Sequence, residues 1–270
     1  MSTDSFAHIV EEVQRSLRWL ALAGWKGFDC RPETLSRLDG WSRPPVASVA
    51  STPKVPQPVA DQGPAPSPVP CAETLARIRQ DIGDCQRCKL WRQRRHIVFG
   101  QGDPRARLVF VGEGPGFDED RQGEPFVGAA GQLLTKIIQA MGLSREQVYI
   151  CNIIKCHPPG NRNPEADEIA ACLPFLKRQL AVIAPDCICA LGAVAARTLL
   201  ETDLPISKLR GRFHQVQGIV VMPTFHPAYL LRNPEQKRAV WEDIQQIMVR
   251  LGLPRPSRGQ SRPPTGATPG

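Results

Sequence analysis

The sequence has 270 residues, 41% of them hydrophobic and 22% charged, and a net charge of +8 from 34 basic and 26 acidic side chains. No apolar run approaches the ~18–20 residues of a membrane span, and Asp4, Glu11 and Glu12 interrupt any secretory h-region near the N-terminus. Membrane and secreted classes are therefore not expected, and the nine cysteines are expected to be reduced in a cytoplasmic setting, which favours metal ligation or burial over disulfides.

Taken in chain order, residues 5–24 come first, with Phe6, Ile9, Val10, Val13 and Leu17 at helical spacing. Nine prolines between Pro44 and Pro70 then mark an extended linker, so residues 1–70 read as an N-terminal helix plus a largely disordered Pro-rich segment. Residues 71–253 form the expected domain. Residues 254–270, with three arginines and no acid, read as a disordered basic tail. The domain is itself basic, which permits a polyanionic partner without requiring one.

Within the domain, short β-branched runs at Leu108–Val111, Val148–Ile154, Cys187–Leu191 and Ile219–Met222 alternate with helical stretches at Gly131–Met141, Ala166–Ala184, Ala193–Glu201 and Pro234–Leu251. Near-continuous apolar strands alternating with helices predict an α/β fold, a three-layer α/β/α sandwich with a central, mainly parallel four-stranded sheet. Ligands of such sheets bind beyond the carboxyl ends of the strands. Three of the four ends carry unusual chemistry: Gly112-Glu113-Gly114-Pro115-Gly116, Asn152 leading to Lys155-Cys156-His157, and Phe225-His226-Pro227. The third strand ends in Leu191-Gly192-Ala193, a plain turn.

Cys85 and Cys88 form a C-x2-C pair after a helical stretch, and Cys156 and Cys172 are separated by fifteen residues. Four thiolates in two groups suit a tetrahedral zinc, slightly favoured by spacing alone, or an iron–sulfur cluster. Unrelated buried cysteines are the alternative. Cys151, Cys187 and Cys189 lie in strands and are expected in the core.

The first glycine-rich loop lacks the G-K-[ST] ending of a phosphate loop and does not match G-x-G-x-x-G. Its glycines instead bare the backbone to a flat ligand or a phosphate. Asp118, Glu119 and Asp120 follow and read equally well as a solvated turn. Phe126, in Pro125-Phe126-Val127-Gly128, is a candidate stacking platform or a core aromatic. His226, at a strand's carboxyl end, is a candidate catalytic group or a structural one.

These residues converge on a family. Cys85-x2-Cys88, Gly112 to Gly116, Pro125 to Gly128, Asn152 to Cys156, Asn161-Arg162-Asn163-Pro164, Cys172 and His226-Pro227-Ala228-Tyr229-Leu230-Leu231-Arg232 together closely resemble the iron–sulfur (family 4) uracil-DNA glycosylases. The match runs from about Cys71 to Leu251, in order and spacing.

The resemblance implies a [4Fe–4S] cluster on Cys85, Cys88, Cys156 and Cys172, in place of the zinc that spacing favours. It implies hydrolysis of the bond between uracil and its deoxyribose, in single- or double-stranded DNA, after the nucleotide is extruded. Phe126 would stack on the base, Asn152 would read its edge, and Glu113, Gly114 and Pro115 would border the ring. His226 would stabilise charge on the departing uracil. The loop from Pro227 to Arg232 would enter the minor groove, with Leu230 or Leu231 as wedge and Arg232 on a phosphate. The slot that positions the attacking water in related branches is Gly114 here, which leaves Glu113, Asn161 and Glu119, with Asn161 favoured. A monomeric, cytoplasmic, nucleoid-associated protein is expected. Two other classes compete. A non-catalytic, metal-stapled nucleic-acid-binding protein of the same fold is opposed by the full set of His226, Asn152 and Phe126. A zinc-dependent base deaminase is opposed by the missing H-x-E…P-C-x-x-C signature.

Overall fold

The computed structural model describes residues 73–216 and 218–254. The N-terminal helix, the Pro-rich linker, Cys30, Cys71 and the basic tail from 255 onward lie outside the described residues.

The chain opens with helix α1 (Leu75–Ile82), capped by Thr74, whose hydroxyl accepts from the Arg77 N–H at 3.2 Å. Strands β1 (Gln101–Gly102) and β2 (Leu108–Gly112) follow, then helices α2 (Phe117–Gln122) and α3 (Ala129–Ala140), strand β3 (Tyr149–Asn152) and helix α4 (Ala166–Ile183). The second half runs through β4 (Cys187–Leu191), α5 (Ala193–Leu200), α6 (Ile206–Leu209), β5 (His214–Val216), β6 (Ile219–Thr224), α7 (Pro227–Arg232) and α8 (Lys237–Leu251). The strands form one sheet in the order β1-β3-β2-β4-β6-β5. The inner four, β3-β2-β4-β6, are parallel, and β1 and β5 add antiparallel edges.

The expected four-stranded parallel core is therefore present inside a six-stranded sheet. The two edges have two and three residues, too short to show the alternation that marks a strand in sequence. Alternation in the inner strands sorts the core into two layers. In β2, Leu108 and Phe110 pack with α3, α7 and α8, whereas Val109 and Val111 pack with α1, α4 and α5. In β4, Cys187, Cys189 and Leu191 face the first layer, Ile188 and Ala190 the second. All five residues of each strand are buried, as a parallel sheet covered on both faces requires. Cys151, Cys187 and Cys189 are core residues, as expected.

Two differences affect the functional end. Pro227 to Arg232 form a helix, with proline at its first position and His226 as its cap, where a loop was expected. The third strand's turn also has a purpose: Gly192 has φ of 92°, and a side chain there would press on His226 Cβ at 3.0 Å. A bare backbone at Gly192 leaves the room His226 occupies.

Candidate active site

The carboxyl ends of β2, β3 and β6 open onto a cleft of about 420 Å³ lined by Glu113, Phe126, Asn152, Asn161 and His226 among others. That size suits a small organic ligand.

Asn152 ends β3 and stands in register with Gly112. It is 1% exposed, and its amide Oδ1 is buried with no hydrogen-bond partner among the described residues. An unmet buried acceptor costs about 1–3 kcal/mol, so this atom awaits a donor. Phe126 lies beside it. Any side chain at Gly112 would overlap both the Asn152 amide oxygen and the Phe126 ring, so the glycine is what lets them share the strand end.

Phe126 has φ of 55°, a left-handed conformation that costs a non-glycine residue about 1–3 kcal/mol. Its surroundings hold it there. Arg145 donates to the Pro125 carbonyl at 2.7 Å and the Phe126 carbonyl at 3.1 Å. Gly131 lets α3 pack directly on the Phe126 backbone, where a Cβ would collide with the carbonyl.

Glu119 supplies a second brace. Its carboxylate accepts from the Gly116 N–H at 3.1 Å, Val127 N–H at 2.8 Å and Gly128 N–H at 2.9 Å. The first loop and the Phe126 loop are thereby tied together. Asp120, 4% exposed, accepts from the Arg95 N–H at 2.9 Å. The solvated-turn reading of this acidic cluster is thus corrected for Glu119 and Asp120, whose carboxylates satisfy backbone donors.

His226 faces Phe126 with ring centroids 5.6 Å apart and planes tilted by 33°. Its Nδ1 accepts from the Ala228 N–H at 3.1 Å, which puts the proton of the neutral ring on Nε2. Burial, reinforced by Arg232 and opposed by Glu119, lowers its pKa to about 4. The ring is neutral near pH 7 and presents an N–H donor. From the far side, α8 fixes the end of β6: Thr224 donates to Asp243 at 2.5 Å, and Arg210 clamps the same carboxylate at 2.8 and 3.1 Å.

Glu113, Gly114 and Pro115 line the cleft floor, and burial raises the Glu113 carboxyl above its ordinary range. Asn161 has φ of 55°, and its Oδ1 bonds His157 Nε2 at 2.9 Å. Next to it, Arg162 is held by Glu168, fully buried, through bonds of 2.6 and 2.9 Å. Lys89, which follows Cys88, pairs with Glu165 and approaches the same Glu168 at 3.9 Å. This network joins the first cysteine pair, α4 and the Asn161 loop.

The leucine wedge needs correction. Leu230 is 1% exposed and packs in the core beside α3 and α8, so it cannot reach DNA. Leu231 is 47% exposed, and Arg232 is exposed and lines the cleft.

Residues 99–245 match the uracil DNA glycosylase superfamily. Over 184 residues the chain is 44% identical to the type-4 uracil-DNA glycosylase of Sulfurisphaera tokodaii, spanning 65% of this chain and 84% of that one. It is 46% identical over 178 residues to the type-4 enzyme of Thermotoga maritima, spanning 64% and 93%. Identity to the type-4 enzyme of Archaeoglobus fulgidus is 40% over 193 residues, spanning 68% and 97%. The chain belongs to the type-4 uracil-DNA glycosylase family.

In this family member Cys156 and Cys172 are buried, Cys85 and Cys88 are half-buried, and all four pack against the same core layer. Burial raises the Cys156 and Cys172 thiols above their ordinary range, and neighbouring cysteines add to both shifts, Cys172 and Cys88 at Cys156, Cys88 and Cys85 at Cys172. Donors point at the sulfurs: Lys155 N–H to Cys172 at 3.2 Å, Arg94 to Cys156 at 3.6 Å and Arg87 to Cys85 at 3.8 Å. Among the described residues no group of three or more His, Cys, Asp or Glu is arranged to hold a single metal ion. Zinc bonded at 2.3 Å needs its sulfurs about 3.8 Å apart. Four cysteines, three of them with N–H donors on their sulfurs, are the donor set that an iron–sulfur cluster takes.

Arg145, Gly192 and Glu168 carry no site signal in the sequence, since each acts through a backbone group or a distant partner. Glu119 is among the sequence candidates for positioning water, and its carboxylate instead braces the two loops.

Proposed function

We propose that this chain is a DNA-repair glycosylase that extrudes uracil from DNA and hydrolyses its N-glycosidic bond, leaving an abasic site for base excision repair. The observation that carries the reading is the unpartnered, buried Asn152 Oδ1 between an aromatic face and a neutral imidazole donor. The uracil N3–H supplies the missing donor, and the same amide's N–H2 group donates to O4. Cytosine reverses that pairing and would leave buried groups unmet, the kind of mismatch that binding sites reject strongly.

Phe126 stacks on the extruded base. As the bond breaks, negative charge grows on the uracil and positive charge on the sugar. His226 Nε2–H donates to O2 where the charge develops, and this interaction strengthens towards the transition state. Electrostatics favour a neutral donor here, because burial beside Arg232 disfavours an imidazolium. Asn161 orients the attacking water. Glu119 is engaged by three backbone donors, whereas Asn161 is exposed and lines the cleft, with its Oδ1 on His157 Nε2. Glu113, Gly114 and Pro115 border the ring. Leu231 fills the vacated stack and Arg232 meets a phosphate.

Cys85, Cys88, Cys156 and Cys172 hold a [4Fe–4S] cluster. When bound it supplies a rigid crosslink between the first cysteine pair, the end of β3 and α4, a structural rather than redox contribution, since glycosidic hydrolysis transfers no electrons. No helix of the described residues is long and apolar enough to cross a membrane; a monomeric, cytoplasmic, nucleoid-associated enzyme is part of this proposal.

The test is a uracil-containing oligonucleotide incubated with the protein and then treated with alkali. Strand cleavage at the uracil supports the reading. Binding without cleavage would overturn it in favour of a non-catalytic binder of the same fold.

A further inference from the structure

We propose that Phe117, with Arg95 and Arg121 at its ring, is a second nucleobase site: a stacking platform for an unpaired base flanking the extruded uracil on the same DNA strand. The inference rests on the glycosylase reading and adds a contact that the cleft does not contain.

Phe117 begins α2 directly after Gly116, which lines the cleft. Adjacent Cα atoms are about 3.8 Å apart, so the Phe117 Cα stands at the cleft's lip. Phe117 is 52% exposed. A single exposed apolar residue needs no explanation; its neighbours set this one apart. The Arg121 guanidinium lies 5.7 Å from the ring centroid and that of Arg95 5.9 Å. Neither guanidinium pairs with a carboxylate among the described residues, and two of the three nearby acids are occupied elsewhere. Glu119 and Asp120 accept backbone N–H groups, and Asp118 lies against Gly128. The lip therefore offers an aromatic face with two uncompensated positive charges.

That combination matches single-stranded nucleic acid. Every base has a face to stack, and every step along the strand carries a phosphate for a guanidinium. In a single-stranded substrate the base flanking the uracil is already unpaired, so it is available beside the cleft when the uracil enters. The apolar ring and the cations together exclude an acidic peptide as the better partner, since stacking contributes only where the ligand is planar.

The experiment measures binding of the full chain to single-stranded oligonucleotides carrying a 2′-fluoro deoxyuridine, whose glycosidic bond resists cleavage. The strands are lengthened one nucleotide at a time, separately on the 5′ and 3′ sides. The wild-type chain is expected to gain affinity by roughly 5- to 150-fold at one added nucleotide, the range for a stacked base. Phe117→Ala is expected to lose that step. An abasic residue at the same position should abolish it for the wild type and change nothing further for Phe117→Ala. Arg95→Ala and Arg121→Ala should each lower the salt dependence of binding by about one phosphate contact. A step that persists in Phe117→Ala, or no step in the wild type, overturns the proposal. Failure of the wild type to release uracil from an ordinary substrate would instead overturn the glycosylase reading, so the two failures are distinct.

Discussion

Gly112 and Asn152 end neighbouring parallel strands in register, and the space beside Gly112 is filled by the Asn152 amide oxygen and the Phe126 ring. The first glycine of the loop thus acts as a void that Asn152 and Phe126 share. Gly112→Ala should push both off their positions. Overpacking costs about 1–3 kcal/mol, so the melting temperature should fall modestly. Single-turnover uracil release should fall by about tenfold or more, because near-attack geometry tolerates little displacement. Wild-type cleavage rates in Gly112→Ala would show that the close approach has no functional weight.

His226 gives a pH-dependent expectation. Its folded pKa of about 4 lies below the ordinary 6.5, so between those values the unfolded chain binds the proton that the folded chain refuses. Stability from this residue is complete above pH 6.5 and is lost as pH falls from 6.5 towards 4. Ring-nitrogen NMR should show a neutral imidazole protonated on Nε2 down to about pH 5. His226→Ala should slow single-turnover cleavage by about 10²–10³, the loss typical of one oxyanion-type donor, and should abolish that part of the pH dependence. Titration of this ring near 6.5 would contradict the neutral-donor role.

The parallel core was legible because β2, β3, β4 and β6 are apolar runs separated by helical spacing. Gly112, Asn152 and His226 were findable because strand ends in such sheets are where ligands bind. The edges β1 and β5 were not legible, since Gln101–Gly102 and His214–Val216 have too few residues to carry a period. Helix α7 escaped because its six residues look like a loop after Pro227. Its amphipathic split, with Leu230 inward and Leu231 outward, emerges only once the helix is known. The braces escaped for another reason: Glu119 and Arg145 act on backbone atoms of segments eight to twenty residues away, and backbone acceptors and donors leave no mark in side-chain identity.

The cysteines predict a chemical composition. Protein purified without oxygen should be brown, with broad visible absorption and about four irons per chain. Cys88→Ser or Cys172→Ala should lower iron content and melting temperature together, since the proposed cluster would join three segments. Colourless protein with one zinc and no iron would exclude the assignment.

Asn152→Asp tests base reading apart from catalysis. A carboxylate cannot donate to uracil O4, and its charge would oppose the anion forming in the same pocket. Uracil release should fall by at least about 10², with preference for uracil over cytosine reduced or reversed. Binding to DNA without uracil, which depends on phosphate contacts, should be unchanged. Retained uracil preference would remove Asn152 from the recognition edge.

Leu230 and Leu231 should part company on substitution. Leu230 is 1% exposed in the core layer beneath α7, and truncating such a side chain costs about 2–5 kcal/mol. Leu230→Ala should therefore lower the melting temperature and weaken activity on all substrates alike. Leu231 is 47% exposed, so Leu231→Ala should leave stability within about 0.5 kcal/mol. Its defect should depend on the substrate. In a duplex the extruded nucleotide would leave a gap for the proposed wedge to fill, at a cost of unstacking a few kcal/mol. In a single strand there is no opposing stack to hold open. Single-turnover cleavage by Leu231→Ala should fall about tenfold or more on paired uracil and change little on single-stranded uracil. Equal losses on both substrates would show that Leu231 contacts the strand without wedging it.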